Sequence, residues 1–197
     1  MSGRPSNRDE RYDQVMQALV RCVARYGLDG ASLSQIAKEA GLTRPLIRHH
    51  LGNRDELITT LQDYVLKCFS EQSDALVGVL PASGKSEHLI DLLFSDMNQT
   101  SPDIVLAFAA LTARAVEDVS LRQACREALL SFETAIAAIL RADFPKVDAA
   151  KVNTTAHGIV ALYFNATSLA PLEMSSVWKT QAEQAARALF NGLEHAS

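Results

Sequence analysis

One spacing dominates this chain of 197 residues: apolar side chains recur three and four positions apart. From Arg8 they fall at Tyr12, Val15, Met16, Leu19, Val20, Val23 and Tyr26, the stripe of an amphipathic helix. No segment alternates apolar and polar residues over a useful length, so an all-α fold is expected. Glycine and proline divide the pattern. Gly27 and Gly30, with Asp29 between them, end the first helix. Ser32 opens a second, with Gln35 at capping-box spacing and Leu33, Ile36, Ala37 and Ala40 on its inner face; Gly41 ends it. Thr43 is placed to cap a third helix. Pro45 falls in its first turn, where a missing N–H costs nothing, and Leu46, Ile47 and Leu51 supply apolar contacts. Gly52-Asn53 breaks the chain again, and Asn53 is placed to cap a long helix from Arg54 to about Leu80. After the loop Pro81–Lys85, helices are expected near 86–100, 102–117, 119–142, 147–169 and 174–194, punctuated by Ser101-Pro102, Phe144-Pro145 and Pro171. There is no internal repeat and no low-complexity tract.

Composition narrows the function classes. Apolar residues make up 48% and charged residues 21%, a globular balance. The net charge of −4 argues against a protein that coats nucleic acid through bulk charge. The charge is uneven, however. Residues 1–60 hold 9 Lys and Arg against 7 Asp and Glu, and the remainder holds 10 against 16. This is a basic head on an acidic body. Cys22, Cys68 and Cys125 lie far apart in apolar segments, so buried free thiols in a reducing cytoplasm are expected. The opening MSGRPSNRDERY is polar, so no secretory leader is expected. The run Val152 to Leu172 lacks charge but carries Asn153, His157, Gly158, Asn165 and Pro171, and reads as a buried or interface helix rather than a membrane span.

The basic head has a local focus. GLTRPLIRHHLGNR, residues 41–54, holds three arginines, a proline and two adjacent histidines before the first acid, Asp55. Two short helices joined by a tight glycine turn form a helix-turn-helix, whose second helix enters the DNA major groove. Here that helix spans about 43–51. Ile47 and Leu51 face inward; Arg44, Pro45, Arg48 and His49 face outward, with His50 alongside. Arginine pairs in bidentate fashion with guanine or with phosphate, histidine donates to phosphate oxygens, and proline offers apolar contact to a thymine methyl. Arg54 and Ser32 sit at helix starts, where a phosphate also meets the helix dipole. The same pattern fits a solvated helix face. Arg4, Arg8 and Arg11 form an N-terminal arm that reads either as a further phosphate contact or as a disordered start.

Specific residues of the head resemble the tetracycline-repressor (TetR) family of bacterial regulators. They are Ala24-Arg25-Tyr26-Gly27, Ala31-Ser32-Leu33, Ile36-Ala37, Ala40-Gly41-Leu42-Thr43, Ile47-Arg48-His49-His50-Leu51, Asn53-Arg54 and Leu57, in the family's order and spacing over about 50 residues. Arg48 stands where the family usually has tyrosine and Leu51 where it has phenylalanine. The remaining three-quarters matches the family only in length and helical character. The resemblance implies a three-helix DNA-binding head over residues 1–53 and a helical-bundle domain for effector binding and dimerisation over 54–197. It places Thr43, Arg44, Pro45, Leu46, Arg48, His49, His50 and Arg54 in DNA-contacting positions, and Ser32 at a phosphate.

One recognition helix reads few base pairs, so selective binding needs two heads about 34–36 Å apart on double-stranded DNA, and hence a homodimer on a palindromic operator. The expected interface lies on the helices near 147–169 and 174–194. The first carries the small or polar stripe Ala150, Thr154, His157, Gly158, Ala161 and Asn165; the second carries Trp178, Ala182, Ala185, Leu189, Phe190 and Leu193. The family also implies a small-molecule effector cavity in the middle helices, with Phe94, Met97, Phe108, Thr112, Phe132, Tyr163 and Asn165 as candidate lining. Arg114 and His157 are polar residues in apolar sequence surroundings. The expected outcome is repression released by ligand. A protein-interaction module using the head without reading DNA is the alternative. An enzyme is not expected. No histidine has an acid three residues before it, adjacent His49 and His50 diverge on a helix, and no H-E-x-x-H, G-x-S-x-G or P-loop occurs. No metal site or cofactor is expected.

Overall fold

The computed structural model describes residues 7–81, 84–94 and 102–195. The regular structure among them is helical throughout: α1 Asn7–Gly30, α2 Leu33–Ala40, α3 Arg44–Leu51, α4 Arg54–Val79, α5 Lys85–Phe94, α6 Pro102–Arg114, α7 Val119–Asp143, α8 Ala149–Ser168 and α9 Ser176–Glu194. A single 3-10 turn, Ala170–Leu172, links α8 to α9. No described helix is long and apolar enough to cross a membrane. The charge-free run from Val152 instead buries Val152, Ala156, Ile159, Val160 and Tyr163 and leaves Asn153, Thr154, His157 and Asn165 exposed.

Local chemistry sets the helix ends. α1 breaks at Gly27 (φ 70°, ψ 174°) before its last few residues. Ser32 Oγ accepts from the Gln35 N–H at 3.2 Å while Gln35 Oε1 accepts from the Ser32 N–H at 2.9 Å, closing the expected capping box. Gly41 stops α2 in the left-handed region (φ 64°, ψ 31°), which costs glycine nothing. Asn53 Oδ1 accepts from the N–H groups of Asp55 (2.9 Å) and Glu56 (3.0 Å), and Glu56 Oε2 accepts from the Asn53 N–H (2.7 Å). α4 thus has a reciprocal cap as well. Thr43 departs from expectation. It holds the extended N-cap backbone of α3 (φ −83°, ψ 147°), but its hydroxyl makes no capping bond.

The chain forms two compact packing units. The first runs to Cys68 and takes in Leu106–Cys125. In it α1 packs on α2 and α3, burying Val15, Met16, Leu19 and Val23 of α1, Ile36, Ala37 and Ala40 of α2, and Ile47 and Leu51 of α3. Polar ties add to this contact: Gln14 Nε2 donates to Ala40 O at 2.7 Å, and Arg21 pairs with Glu39 at 2.6 Å. The second unit comprises Phe69–Val105 and Arg126–Ser197. α9 packs there on α8 and α5, around a core that includes Leu89, Ile90, Ile136, Leu140, Val152, Ile159, Ala186, Phe190 and Leu193. Asp143, the last residue of α7, accepts from both the N–H and the hydroxyl of fully buried Ser86 at 2.8 Å, which ties down the start of α5. Cys22, Cys68 and Cys125 form no disulfide; Cys22 and Cys125 are buried, and burial raises both thiols above their usual range, so neither is primed as a nucleophile.

Candidate nucleic-acid interface

α3 is an eight-residue helix with two unlike sides. Ile47 and Leu51, four apart, are buried to within 1% of complete exclusion and hold the helix to the head. Arg44, Pro45, Arg48 and His49 are exposed; Leu46 and His50 are half-buried. The exposed cations of this face differ from several other arginines of the chain. Arg21, Arg54, Arg114, Arg122, Arg141 and Arg187 all bond to protein acceptors. Arg44 and Arg48 have no hydrogen-bond or ion-pair partner among the described residues, and their spacing of four puts them on one face. The His49 ring meets His50 edge-on, with centroids 5.5 Å apart. The Thr43 hydroxyl, unused as a cap, is exposed beside this face. Together these groups present donors and two uncompensated charges on a short, well-anchored rod, the arrangement that a polyanion's grooves accept.

Two of the sequence-derived contacts are differently placed. The Ser32 hydroxyl is consumed by its capping box, donating to Gln35 Oε1 at 2.8 Å. Arg54 does not stand free at the start of α4. Its guanidinium donates to Leu28 O and, at 3.3 Å, to Ala31 O, and it pairs with Asp29 at 3.1 Å. Arg54 thus fastens α4 to the α1–α2 turn. Nothing local in sequence signals this role, because its partners lie 23 to 26 residues away. In the arm, Arg11 bonds Gln14 within α1 at 3.0 Å, Arg4 lies outside the described residues, and the Arg8 side chain is likewise outside them.

The candidates in the body are scattered. Phe94, Phe132 and Tyr163 come together in an aromatic cluster, with ring centroids 6.2 to 6.4 Å apart, that Phe69 and Phe164 extend. Phe108 is buried in the first unit; Thr112, also there, is exposed and donates to Ala109 O of its own helix. Asn165 is exposed, and Met97 lies outside the described residues. Arg114 and His157 are not in apolar surroundings: Arg114 pairs with Glu117 at 3.0 Å and His157 with Glu133 at 3.1 Å, both at the surface. The α8 stripe is open, with Ala150, Thr154, His157, Ala161 and Asn165 all exposed. Gly158 lies against Leu189, where a Cβ would come within 2.6 Å of Leu189 Cδ1. The α9 stripe divides. Ala185 and Leu189 are exposed, whereas Phe190 and Leu193 turn into the unit's own core.

Residues 15–61 match the family described as "Bacterial regulatory proteins, tetR family". The chain is 30% identical over 84 residues to the HTH-type transcriptional repressor AcnR of Corynebacterium jeikeium, 42% of this chain and 44% of that protein. The alignment therefore spans less than half the length of that relative. Over a longer stretch of 170 residues it is 25% identical to the HTH-type transcriptional regulator BetI of Agrobacterium fabrum, covering 84% of this chain and 82% of that one. The fold matches the crystal structure of a TetR-family transcriptional regulator from Cytophaga hutchinsonii with a TM-score of 0.69, at 19% identity, over 96% of this chain and 98% of that one. In the sequence of its head, and in fold over nearly its whole length, the protein resembles the tetR family of bacterial regulatory proteins.

Proposed function

We propose that this protein is a DNA-binding transcriptional regulator rather than an enzyme, and that it reads a palindromic operator as a homodimer. The observation that carries the reading is the exposed pair Arg44 and Arg48, without partners among the described residues, on a helix anchored by Ile47 and Leu51. Thr43, Arg44, Pro45, Leu46, Arg48, His49 and His50 are the proposed contacts. Ser32 contributes through the first amides of α2, and Arg54 chiefly as the clamp that holds the head in shape. The exposed stripe on α8 and the exposed Ala185 and Leu189 on α9 are the proposed dimer surface, since small residues let helices approach closely. Function as a DNA reader places the protein in the cytoplasm.

Repression would be released by a population shift. A ligand that binds better to dimers with a different head spacing lowers operator affinity by its differential affinity for the two states. Fluorescence anisotropy tests the reading, on DNA from upstream of the protein's own gene and a scrambled control, at two salt concentrations, with Arg44→Ala beside the unmodified protein. The expected result is steeply salt-dependent binding that prefers the upstream DNA and is lost or relaxed in Arg44→Ala. Weak binding equal on both DNAs and indifferent to Arg44→Ala would instead favour a head that docks on protein.

A further inference from the structure

We propose that the cleft at the α8–α9 elbow is a binding site for a small, uncharged or cationic amphipathic molecule that carries a hydrogen-bond acceptor. The cleft lies wholly within the second unit and has a volume of about 390 Å³, inside the size range of small-molecule sites. Phe94, Ala166, Leu169 and Met174 provide apolar wall, and Trp178 and Glu173 are also in the lining. Among the described residues, the candidate effector residues read from the sequence touch it only at Phe94.

Three independent observations point to an occupant. The indole N–H of Trp178 is withdrawn from solvent and has no hydrogen-bond partner among the described residues. A buried donor without an acceptor is costly and uncommon in folded proteins. The broad χ2 well of an indole lets a modest ring rotation offer that N–H to an acceptor in the cleft. Next, Glu173 is the non-glycine residue held at positive φ (49°) among the described residues, with ψ 42°, in a region that costs a side chain free energy and concentrates at functional sites. Finally, Met174 of the lining stays 45% exposed, so part of the apolar wall is open to an occupant.

Charge selects the ligand class. Glu183 shares the Arg187 guanidinium with Asp91, and Lys179 stands in the lining with Glu173 and Glu183. The Glu173 carboxylate has no ion-pair partner among the described residues. The lining thus holds two carboxylates against one ammonium, a negative balance that disfavours anionic amphiphiles and admits uncharged or cationic ones. The cleft also joins the two helices proposed to form the dimer surface, so occupancy there is placed to alter head spacing. This consequence rests on the regulator reading; the binding itself does not, and it is measured without DNA.

Trp178 is the chain's single tryptophan, so its emission reports on the cleft without background. The probe is Nile red, an uncharged planar molecule with a carbonyl acceptor, titrated into the full-length protein while both Trp178 and probe emission are followed. One saturable site per chain is expected, with Trp178 emission quenched in step. Trp178→Phe, which keeps an aromatic ring and deletes the donor, is expected to weaken probe binding about tenfold. Ala170→Phe, at an exposed position on the rim, retains the reporter and is expected to weaken binding by filling the cleft. An anionic probe, anilinonaphthalene sulfonate, is expected to bind at least tenfold more weakly than Nile red, and to gain on Glu173→Gln. Failure to bind Nile red, saturation without change in Trp178 emission, or unaltered affinity in both cleft variants overturns the proposal. None of these outcomes bears on operator binding.

Discussion

Arg54 separates two physical readings that sequence alone merges. As a DNA contact it would neutralise one phosphate. As a clamp it would hold α4 to the α1–α2 turn through Leu28 O and Ala31 O. Hydrogen bonds from a charged donor are each worth about 1.5–3 kcal/mol when buried. The Arg54 side chain is 40% exposed, so water replaces part of what is lost, and Asp29 is too exposed for its ion pair to count. About 1–2 kcal/mol remains for Arg54→Ala. For a chain of this length that lowers Tm by roughly 2–8 °C. Arg54→Lys is the sharper variant. Lysine retains the charge for a phosphate but cannot fork to two carbonyls, so the clamp predicts that Lys destabilises almost as much as Ala. The assay pairs thermal melting with operator binding across a salt series. Loss of a phosphate contact flattens the slope of log affinity against log salt by about 0.9; loss of the clamp lowers Tm and leaves the slope unchanged. Both variants melting like the unmodified protein, with a flattened slope for Ala alone, would refute the clamp.

Three further outcomes follow from the same geometry. Asp143→Ala strands the buried N–H and hydroxyl of Ser86, and is expected to cost roughly 2–4 kcal/mol in a urea melt. Asp143→Asn, which keeps an acceptor, is expected to cost clearly less, and equal losses would count against the capping role. Gly52 adopts φ 64° and ψ −138°, and a Cβ there would collide with the Glu56 carboxylate that caps α4. Gly52→Ala is therefore expected to destabilise the head by about 2–3 kcal/mol from backbone strain plus lost capping, seen as early proteolysis around α3. Burial, aided by Cys68, pushes the Tyr64 hydroxyl up to about 12 from an ordinary 10.0. A raised folded pKa means the unfolded chain releases this proton first. The contribution of neutral Tyr64 is fully present below pH 10 and is lost as pH rises from 10 towards 12. Tyr64→Phe is expected to soften alkaline unfolding in that window, and identical alkaline melts would rule out Tyr64 as a source.

Local signals carried the fold. The capping pairs Ser32/Gln35 and Asn53/Glu56 are three residues apart, and such spacings act within one helical turn, so their chemistry is visible in one dimension. The apolar stripe that buries Ile47 and Leu51 is equally local, and it orients Arg44 and Arg48 outward without further information. Thr43 shows the limit of such signals. The residue type and position fit a cap, yet the hydroxyl rotor makes no capping bond, and the backbone alone marks the helix start.

What escaped the sequence has one physical cause: a side chain's duty depends on partners that periodicity does not locate. Arg54 is read as a surface cation until Leu28 and Ala31 are brought to it. On α9 the spacing of Ala185, Leu189, Phe190 and Leu193 looks like one stripe, but a helix face about 100° wide divides when one neighbour, α8, occupies half of it. Phe190 and Leu193 then serve the chain's own core, and Ala185 and Leu189 stay exposed. Trp178 is the same case carried further. Its apolar ring suits the stripe, whereas its orphaned N–H is a three-dimensional fact with no sequence signature. For the same reason three of the effector candidates, Phe94, Phe132 and Tyr163, converge on a packed cluster, while the open cleft is lined by the elbow between two helices. Aromatic residues at helical spacing maximise mutual packing, so they fill space; the cleft opens where the turn Ala170–Leu172 joins α8 to α9.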